Sequence, residues 1–186
     1  GCSYLQIDDV SFAYLCDEDF RNDIRQRGDD PDDLLIKYSQ VLSDAVADRP
    51  DTMTVTAHMC RGNFQSTYMT SGGYEKVAER LFSELKVDGY FMEYDSDRAG
   101  GFEPLRFIPN NRMVVLGLIT SKTPELENKD DIKRRIDEAA KFMDADQICL
   151  SPQCGFSSTH HGNNLSPDQQ AKKLELVVEI AEEVWG

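Results

Sequence analysis

The sequence contains no apolar run approaching the roughly 18 residues that a membrane-spanning helix needs, and no signal-peptide pattern is visible. Cations are scarce: 20 Lys and Arg stand against 34 Asp and Glu, a formal net charge of −14. A chain this acidic repels phosphate backbones and anionic lipid, which excludes nucleic acid and membranes as expected partners. Disulfide-framework spacing is missing too. The five cysteines therefore read as reduced thiols, and the expected compartment is the cytoplasm. Repeats, low-complexity tracts and linkers are absent. What remains, with 40% hydrophobic and 29% charged residues in 186, is one soluble globular domain with a core of its own.

Two periodicities alternate along that domain. Tyr4-Leu5-Gln6-Ile7 reads as a short strand ending in Asp8-Asp9. A polar segment follows, and Gly28-Asp29-Asp30-Pro31 supplies a turn and a helix start, its acidic run complementing the helix dipole. Leu34, Leu35, Tyr38, Val41, Leu42, Ala45 and Val46 recur with helical period, predicting a helix from Asp32 to Ala47. Met53 to His58 predicts the second strand, Tyr74 to about Lys86 a helix, and Gly89 to Glu93 the third strand. Met113 to Ile119 is apolar throughout, as expected of a strand buried on both faces. A helix is predicted from Lys129 to about Met143 and a fifth strand from Gln147 to Leu150. Ser166-Pro167 places an N-cap and an N1 proline before a last helix that runs to Trp185.

Strand–helix alternation of this kind predicts parallel strands with helices outside, an α/β architecture. A (β/α)₈ TIM barrel fits that pattern but usually takes about 250 residues. The expectation is therefore that residues 1–186 supply the C-terminal portion of a single barrel. The abrupt opening Gly1-Cys2-Ser3, entering a strand almost at once, fits a cut inside a larger protein.

Several metal-ligand residue types fall at the ends of these strands: His58-Met59-Cys60, Glu93, and Cys154 in Pro152-Gln153-Cys154-Gly155. Side chains alternate faces along a strand, so His58 and Cys60 point the same way. An imidazole and a thiolate on one face form half of a zinc site, which a carboxylate and a second thiolate would complete. The same residues also fit blander roles: a hydrogen-bonded core histidine, cysteines as small apolar fillers, an ordinary strand-end carboxylate. His-x-Cys alone is not a specific pattern.

Three motifs in order add to this: Leu5-Gln6-Ile7-Asp8-Asp9, His58-Met59-Cys60-Arg61-Gly62-Asn63 and Ser151-Pro152-Gln153-Cys154-Gly155. Together they resemble the C-terminal catalytic barrel of the cobalamin-independent methionine synthase family, most closely its short bacterial members. The resemblance implies zinc held by His58, Cys60, Glu93 and Cys154, and Asp8 contacting the amino group of homocysteine. It further implies methyl transfer to that thiol from a 5-methyltetrahydrofolate polyglutamate, forming methionine. The rest of the barrel would come from missing N-terminal strands or from a second copy in a homodimer.

The chain also departs from the family pattern. Lys122, in Gly117-Leu118-Ile119-Thr120-Ser121-Lys122-Thr123-Pro124, occupies the position of the family's proton-donating histidine, which makes it the candidate catalytic acid. Tyr14 stands where a folate-contacting Glu is expected, and the interval from Cys60 to Glu93 is longer than in the family. The thiol half of the site is thus intact and the folate half altered. Two alternatives follow: alkyl or methyl transfer to another thiol from a non-folate donor, and an inactive half-barrel whose zinc is structural. His160-His161, in a Gly- and Asn-rich loop, reads as a solvated pair. Arg61 reads either as a carboxylate-binding group or as an outward salt bridge.

Overall fold

Five short apolar runs become five parallel strands because the connection after each returns the chain to the same end of the sheet. A computed structural model describes residues 1–186. The strands are β1 (Tyr4–Asp9), β2 (Thr54–Met59), β3 (Gly89–Glu93), β4 (Met113–Ile119) and β5 (Ile148–Pro152). They pair in chain order, β1-β2-β3-β4-β5, all parallel. The sheet is not closed: β1 pairs only with β2, and β5 only with β4.

The helices are α1 (Ser11–Cys16), α2 (Glu18–Gln26), α3 (Pro31–Ala45), α4 (Glu75–Glu84), α5 (Lys129–Ala139) and α6 (Pro167–Trp185). Their starts follow local capping chemistry. Asp30 accepts from the Asp32 amide ahead of Pro31, Asn128 accepts from the amides of Asp130 and Asp131, and Ser166 forms a capping box with Gln169. One face of the sheet packs against these helices. Val55, Ala57 and Met59 of β2, Tyr90 and Met92 of β3, and Val114, Leu116 and Leu118 of β4 meet Phe12, Leu35, Leu81, Ile136 and Ile180 in one core. Burying each such aliphatic side chain contributes about 1.5–3 kcal/mol. The alternate residues face the other way, which is how Thr56, His58, Phe91, Glu93 and Val115 come to share the second face.

Two expectations are corrected here. The segment after β1, read as merely polar, contains α1 and α2. α1 is only six residues long, too short to display a period, yet it buries Phe12, Ala13, Leu15 and Cys16. α2 buries only Arg21, which donates to the Leu15 carbonyl at 3.3 Å and pairs with Asp32 at 2.9 Å. Its start is set by Asp17, whose side chain accepts from the Asp19 amide. Strand β4 is fully covered on its helix side; on the opposite face Gly117 and Ile119 are buried as expected, but Val115 is only partly buried. No helix is long and apolar enough to cross a membrane.

Candidate metal centre

The C-terminal ends of the strands converge. Parallel registry sets Asp8 of β1 opposite His58 of β2, His58 opposite Phe91 of β3, and Glu93 of β3 opposite Gly117 of β4. The Cys60 amide continues the ladder by donating to the Asp9 carbonyl at 2.9 Å, which keeps Cys60 in extended register with His58. Cys154 lies two residues beyond β5. Its neighbour Gln153 donates its amide to the Ile119 carbonyl at 2.8 Å and accepts at Oε1 from the amide and hydroxyl of Ser121, at 2.8 and 2.7 Å. Only glycine fits at Gly117, since a Cβ there would lie 2.5 Å from the Gln153 Cα. That close approach carries Cys154 in towards β2 and β3.

One donor atom from each of His58, Cys60, Glu93 and Cys154 lies within 4.8 Å of all the others. The two sulfurs are 3.9 Å apart, and His58 Nε2 is 3.7 Å from Glu93 Oε1. A tetrahedron with bonds of about 2.0–2.3 Å separates neighbouring ligand atoms by roughly 3.3–3.8 Å. The sulfurs are far beyond the about 2.05 Å of a disulfide. His58 Nε2 is buried without a hydrogen-bond partner and aims into the group. Donor identity, spacing and the orphaned imidazole nitrogen together fit a soft divalent cation such as zinc.

The titration of these groups reflects their crowding. The Cys154 thiol is pulled down first by its hydrogen bond to Cys60, then by the charge of the neighbouring His58 and the hydrogen bond to Ser158, against the opposing effect of burial. Cys60 is pushed up, first by its hydrogen bond to Cys154 and then by burial. One thiolate thus forms at the expense of the other. Burial alone would lower the His58 pKa, but the Cys154 thiolate and the Glu93 and Asp8 carboxylates outweigh it and the net direction is up. Burial raises Glu93, with Lys122, the Arg61 amide and Arg98 pulling the other way. The cluster is rich in electron pairs and short of positive charge, as a cation-binding set should be.

Asp8 borders the cluster from β1 and is exposed to solvent. Partial burial raises its pKa, His58 lowers it, and Cys154 and Asp9 raise it. Lys122 stands on the other side. It is 8% exposed, with Nζ 3.4 Å from Asp95 Oδ2. Burial lowers its pKa, opposed by Asp95 and Glu93. Lys122, Asp95, Arg98, Thr120 and Tyr68 line a cavity of about 460 Å³ on the Glu93 side of the cluster.

Several contacts in this neighbourhood are signalled by no motif. Arg98 donates to both Glu93 and Asp95. The Tyr74 hydroxyl donates to the Glu93 carbonyl at 3.3 Å and accepts from its amide at 3.1 Å. Asn63 donates to the Gly155 carbonyl at 3.0 Å and to Ser158 Oγ at 2.9 Å, joining the loops that carry Cys60 and Cys154. Asn63 lies within the His58-to-Asn63 motif, but its partner 95 residues away was not visible in sequence.

Arg61 corrects one expectation: it forms no outward salt bridge. It is 0% exposed, its guanidinium 4.5 Å from the Tyr74 ring centroid, while its amide donates to Glu93 Oε1 at 3.0 Å. Its side chain points away from His58 and Cys60 into the helix layer, as strand alternation requires. His160 and His161 are exposed, with ring centroids 3.8 Å apart, and belong to no ligand cluster. Tyr14 stacks on Phe20 at 4.8 Å and donates to Met69 Sδ at 3.6 Å, contacts that an acid would not make.

Residues 5–183 match the family model described as the catalytic domain of cobalamin-independent synthase. The Bacillus subtilis protein YxjH, itself uncharacterized, is 53% identical over all 186 residues, which span 49% of YxjH. The 5-methyltetrahydropteroyltriglutamate–homocysteine methyltransferase of Bacillus licheniformis is 21% identical over the whole chain, covering 21% of that enzyme. Among solved structures, a Listeria monocytogenes protein provisionally described as a vitamin-B12-independent methionine synthase superposes with a TM-score of 0.77. It shares 38% identity, and the match covers all of this chain and 49% of that one. The five-stranded sheet therefore corresponds to part of a larger α/β barrel. The chain spans about half the length of YxjH and of the Listeria protein.

Proposed function

The chain belongs to the cobalamin-independent synthase catalytic-domain family, and from that premise we propose that it carries the thiol-activating part of a zinc-dependent methyltransferase. The acceptor is homocysteine and the product methionine, with a 5-methyltetrahydrofolate polyglutamate as the leading donor. The single observation that carries this reading is the convergence of His58, Cys60, Glu93 and Cys154 within 4.8 Å. Zinc bound there would hold the sulfur of an acceptor as a nucleophilic thiolate near neutral pH.

The chain's own residues fit that task better than hydrolysis. Two thiolates and a carboxylate leave a divalent site with net negative charge, which is poor at activating water. Glu93 is the hardest donor of the four, so with a metal bound it would be the one to yield to an incoming sulfur. Asp8, exposed beside His58, takes the amino group of the acceptor in this reading. In the transfer, the bond from the methyl carbon to the donor's nitrogen breaks as the carbon–sulfur bond forms. The departing nitrogen needs a proton, which Lys122 supplies from its ammonium; burial has already shifted its pKa downwards. Residues 1–186 act within one barrel, and the unpaired edges of β1 and β5 receive the remaining strands.

A second reading keeps the thiol chemistry but changes the donor. It is favoured by Lys122 in place of the family's histidine and by Tyr14 stacked on Phe20 in place of the folate-contacting acid.

Metal analysis and zinc-edge X-ray absorption, with and without homocysteine, test the proposal. The expected result is one zinc per chain with two sulfur ligands, rising to three when homocysteine is added. A protein without zinc, or a zinc shell unchanged by the thiol, would overturn it; the unchanged shell would point to a structural ion.

A further inference from the structure

The two oxygens of Glu93 do different things. Oε1 accepts from the Arg61 amide at 3.0 Å and lies 3.7 Å from His58 Nε2, on the side of the ligand cluster. Oε2 points the other way and accepts from Arg98 Nη2 at 3.0 Å and from Gln153 Nε2 at 3.4 Å. The same Arg98 nitrogen donates to Asp95 Oδ1 at 2.7 Å, and Asp95 Oδ2 faces Lys122 and accepts from Thr120. Arg98 is itself held: its side chain is 6% exposed, Nε donates to Ser96 Oγ at 3.1 Å, and its guanidinium lies 4.3 Å from the Tyr68 ring centroid.

We propose that Arg98 is a positioning residue that makes Glu93 a single-oxygen metal ligand and retains the carboxylate when a substrate thiol displaces it. This rests on the metal-site reading above. A carboxylate with both oxygens free can turn in place, so that neither oxygen is held towards the cation. With Oε2 committed to a buried guanidinium, only Oε1 remains for the ion. When Oε1 is released, the Arg98 bond keeps the carboxylate from becoming an unpaired buried charge. Sharing one nitrogen between Glu93 and Asp95 also ties the ligand to the carboxylate that holds Lys122. The signal was invisible in sequence because Arg98 lies in a short 3₁₀ turn (Asp97–Ala99) after β3, outside any ligand motif.

The test is zinc affinity measured by competition with a chromogenic chelator on the full 186-residue chain. The variants are Arg98→Gln, Arg98→Lys, Glu93→Gln and the double variants, with metal-free melting temperatures recorded for each. Arg98→Gln should weaken zinc binding about ten-fold or more, and Arg98→Lys should recover part of the loss. On the Glu93→Gln background the Arg98 substitution should cost no further affinity, because its route of action is gone. Wild-type affinity in Arg98→Gln, or an equal loss with and without Glu93, would overturn the inference while leaving the metal site standing. Where Arg98→Gln does not fold, the Arg98→Lys cycle decides the same question. A wild-type chain that binds no zinc would instead remove the metal reading itself.

Discussion

The two sides of the candidate site are built from different materials. On one side stand His58, Cys60 and Cys154, soft donors whose arrangement depends on β-strand register and on a single close approach at Gly117. On the other stand Glu93, Arg98, Asp95 and Lys122, four charged groups, each no more than 9% exposed at the side chain and joined in one ion-pair chain. The first side carries the family motifs intact, whereas the second carries Lys122 in place of the expected histidine. Register-set geometry leaves little freedom, because moving one residue along a strand flips its side chain to the core. A charge chain needs only that its signs balance, so it can be re-made with a lysine. On the proposed function, the soft-donor side would accept the methyl group, and the charged side is where a new donor would be accommodated.

The comparison breaks most sharply at Cys154. Cys154→Ser should abolish zinc-dependent homocysteine binding, read by isothermal titration calorimetry and metal content, since a serine hydroxyl stays protonated near neutral pH and is a far poorer zinc ligand than a thiolate. Retained zinc and retained thiol binding would mean that the soft side is not the anchor. On the charged side, Lys122→Ala should slow methyl transfer about 10²-fold or more while leaving thiol binding unchanged. Single-turnover kinetics in the assembled barrel would show this. Fast folate-dependent turnover insensitive to Lys122→Ala would make the lysine neutral and remove the altered-donor reading.

A smaller effect separates clustering from burial. Cys16, buried but outside the cluster, is pushed up to about 11 by burial, whereas clustered Cys154 is pulled down by its hydrogen bonds. A raised thiol pKa in the folded chain means that the unfolded chain ionises first. Its contribution is therefore present below about pH 9 and is lost as pH rises towards 11, at most about 3 kcal/mol for a two-unit shift. Denaturant titrations from pH 8 to 11 should show a shallower loss of stability in Cys16→Ala than in wild type. Parallel pH profiles would show that burial is not what perturbs Cys16.

The smallest effect on the site is expected at the edges of the sheet. Tyr4 and Leu5 are half-exposed on β1, whose outer edge is unpaired, so the isolated chain should self-associate or unfold readily. Analytical ultracentrifugation would check this, and Leu5→Lys should reduce association without changing zinc content. A stable monomer at high concentration would show that the open edges need no partner.

Much of this is legible in the sequence itself. The strands β3 and β4 follow from their apolar runs, α6 from Ser166-Pro167, and the same-face pairing of His58 with Cys60 from simple alternation. The helices α1 and α2 were not legible, because one is shorter than two turns and the other has almost no apolar face. The tie from Arg98 to Glu93 and Asp95 was also hidden. Nothing in Asp97-Arg98-Ala99 distinguishes a buried clamp from a surface charge.

What the chain decides by itself is periodic and local: which segments form strands, where helices begin, and which ligand types stand at strand ends. Only the tertiary structure decided that Cys154 comes within 3.9 Å of a cysteine 94 residues away, that Arg61 turns into the helix layer, and that Glu93 offers one oxygen to the cluster and the other to Arg98. The physical reason is range. Alternation and capping act over two to four residues, whereas donor distances and ion pairs depend on how separate strands are registered and how closely their loops approach.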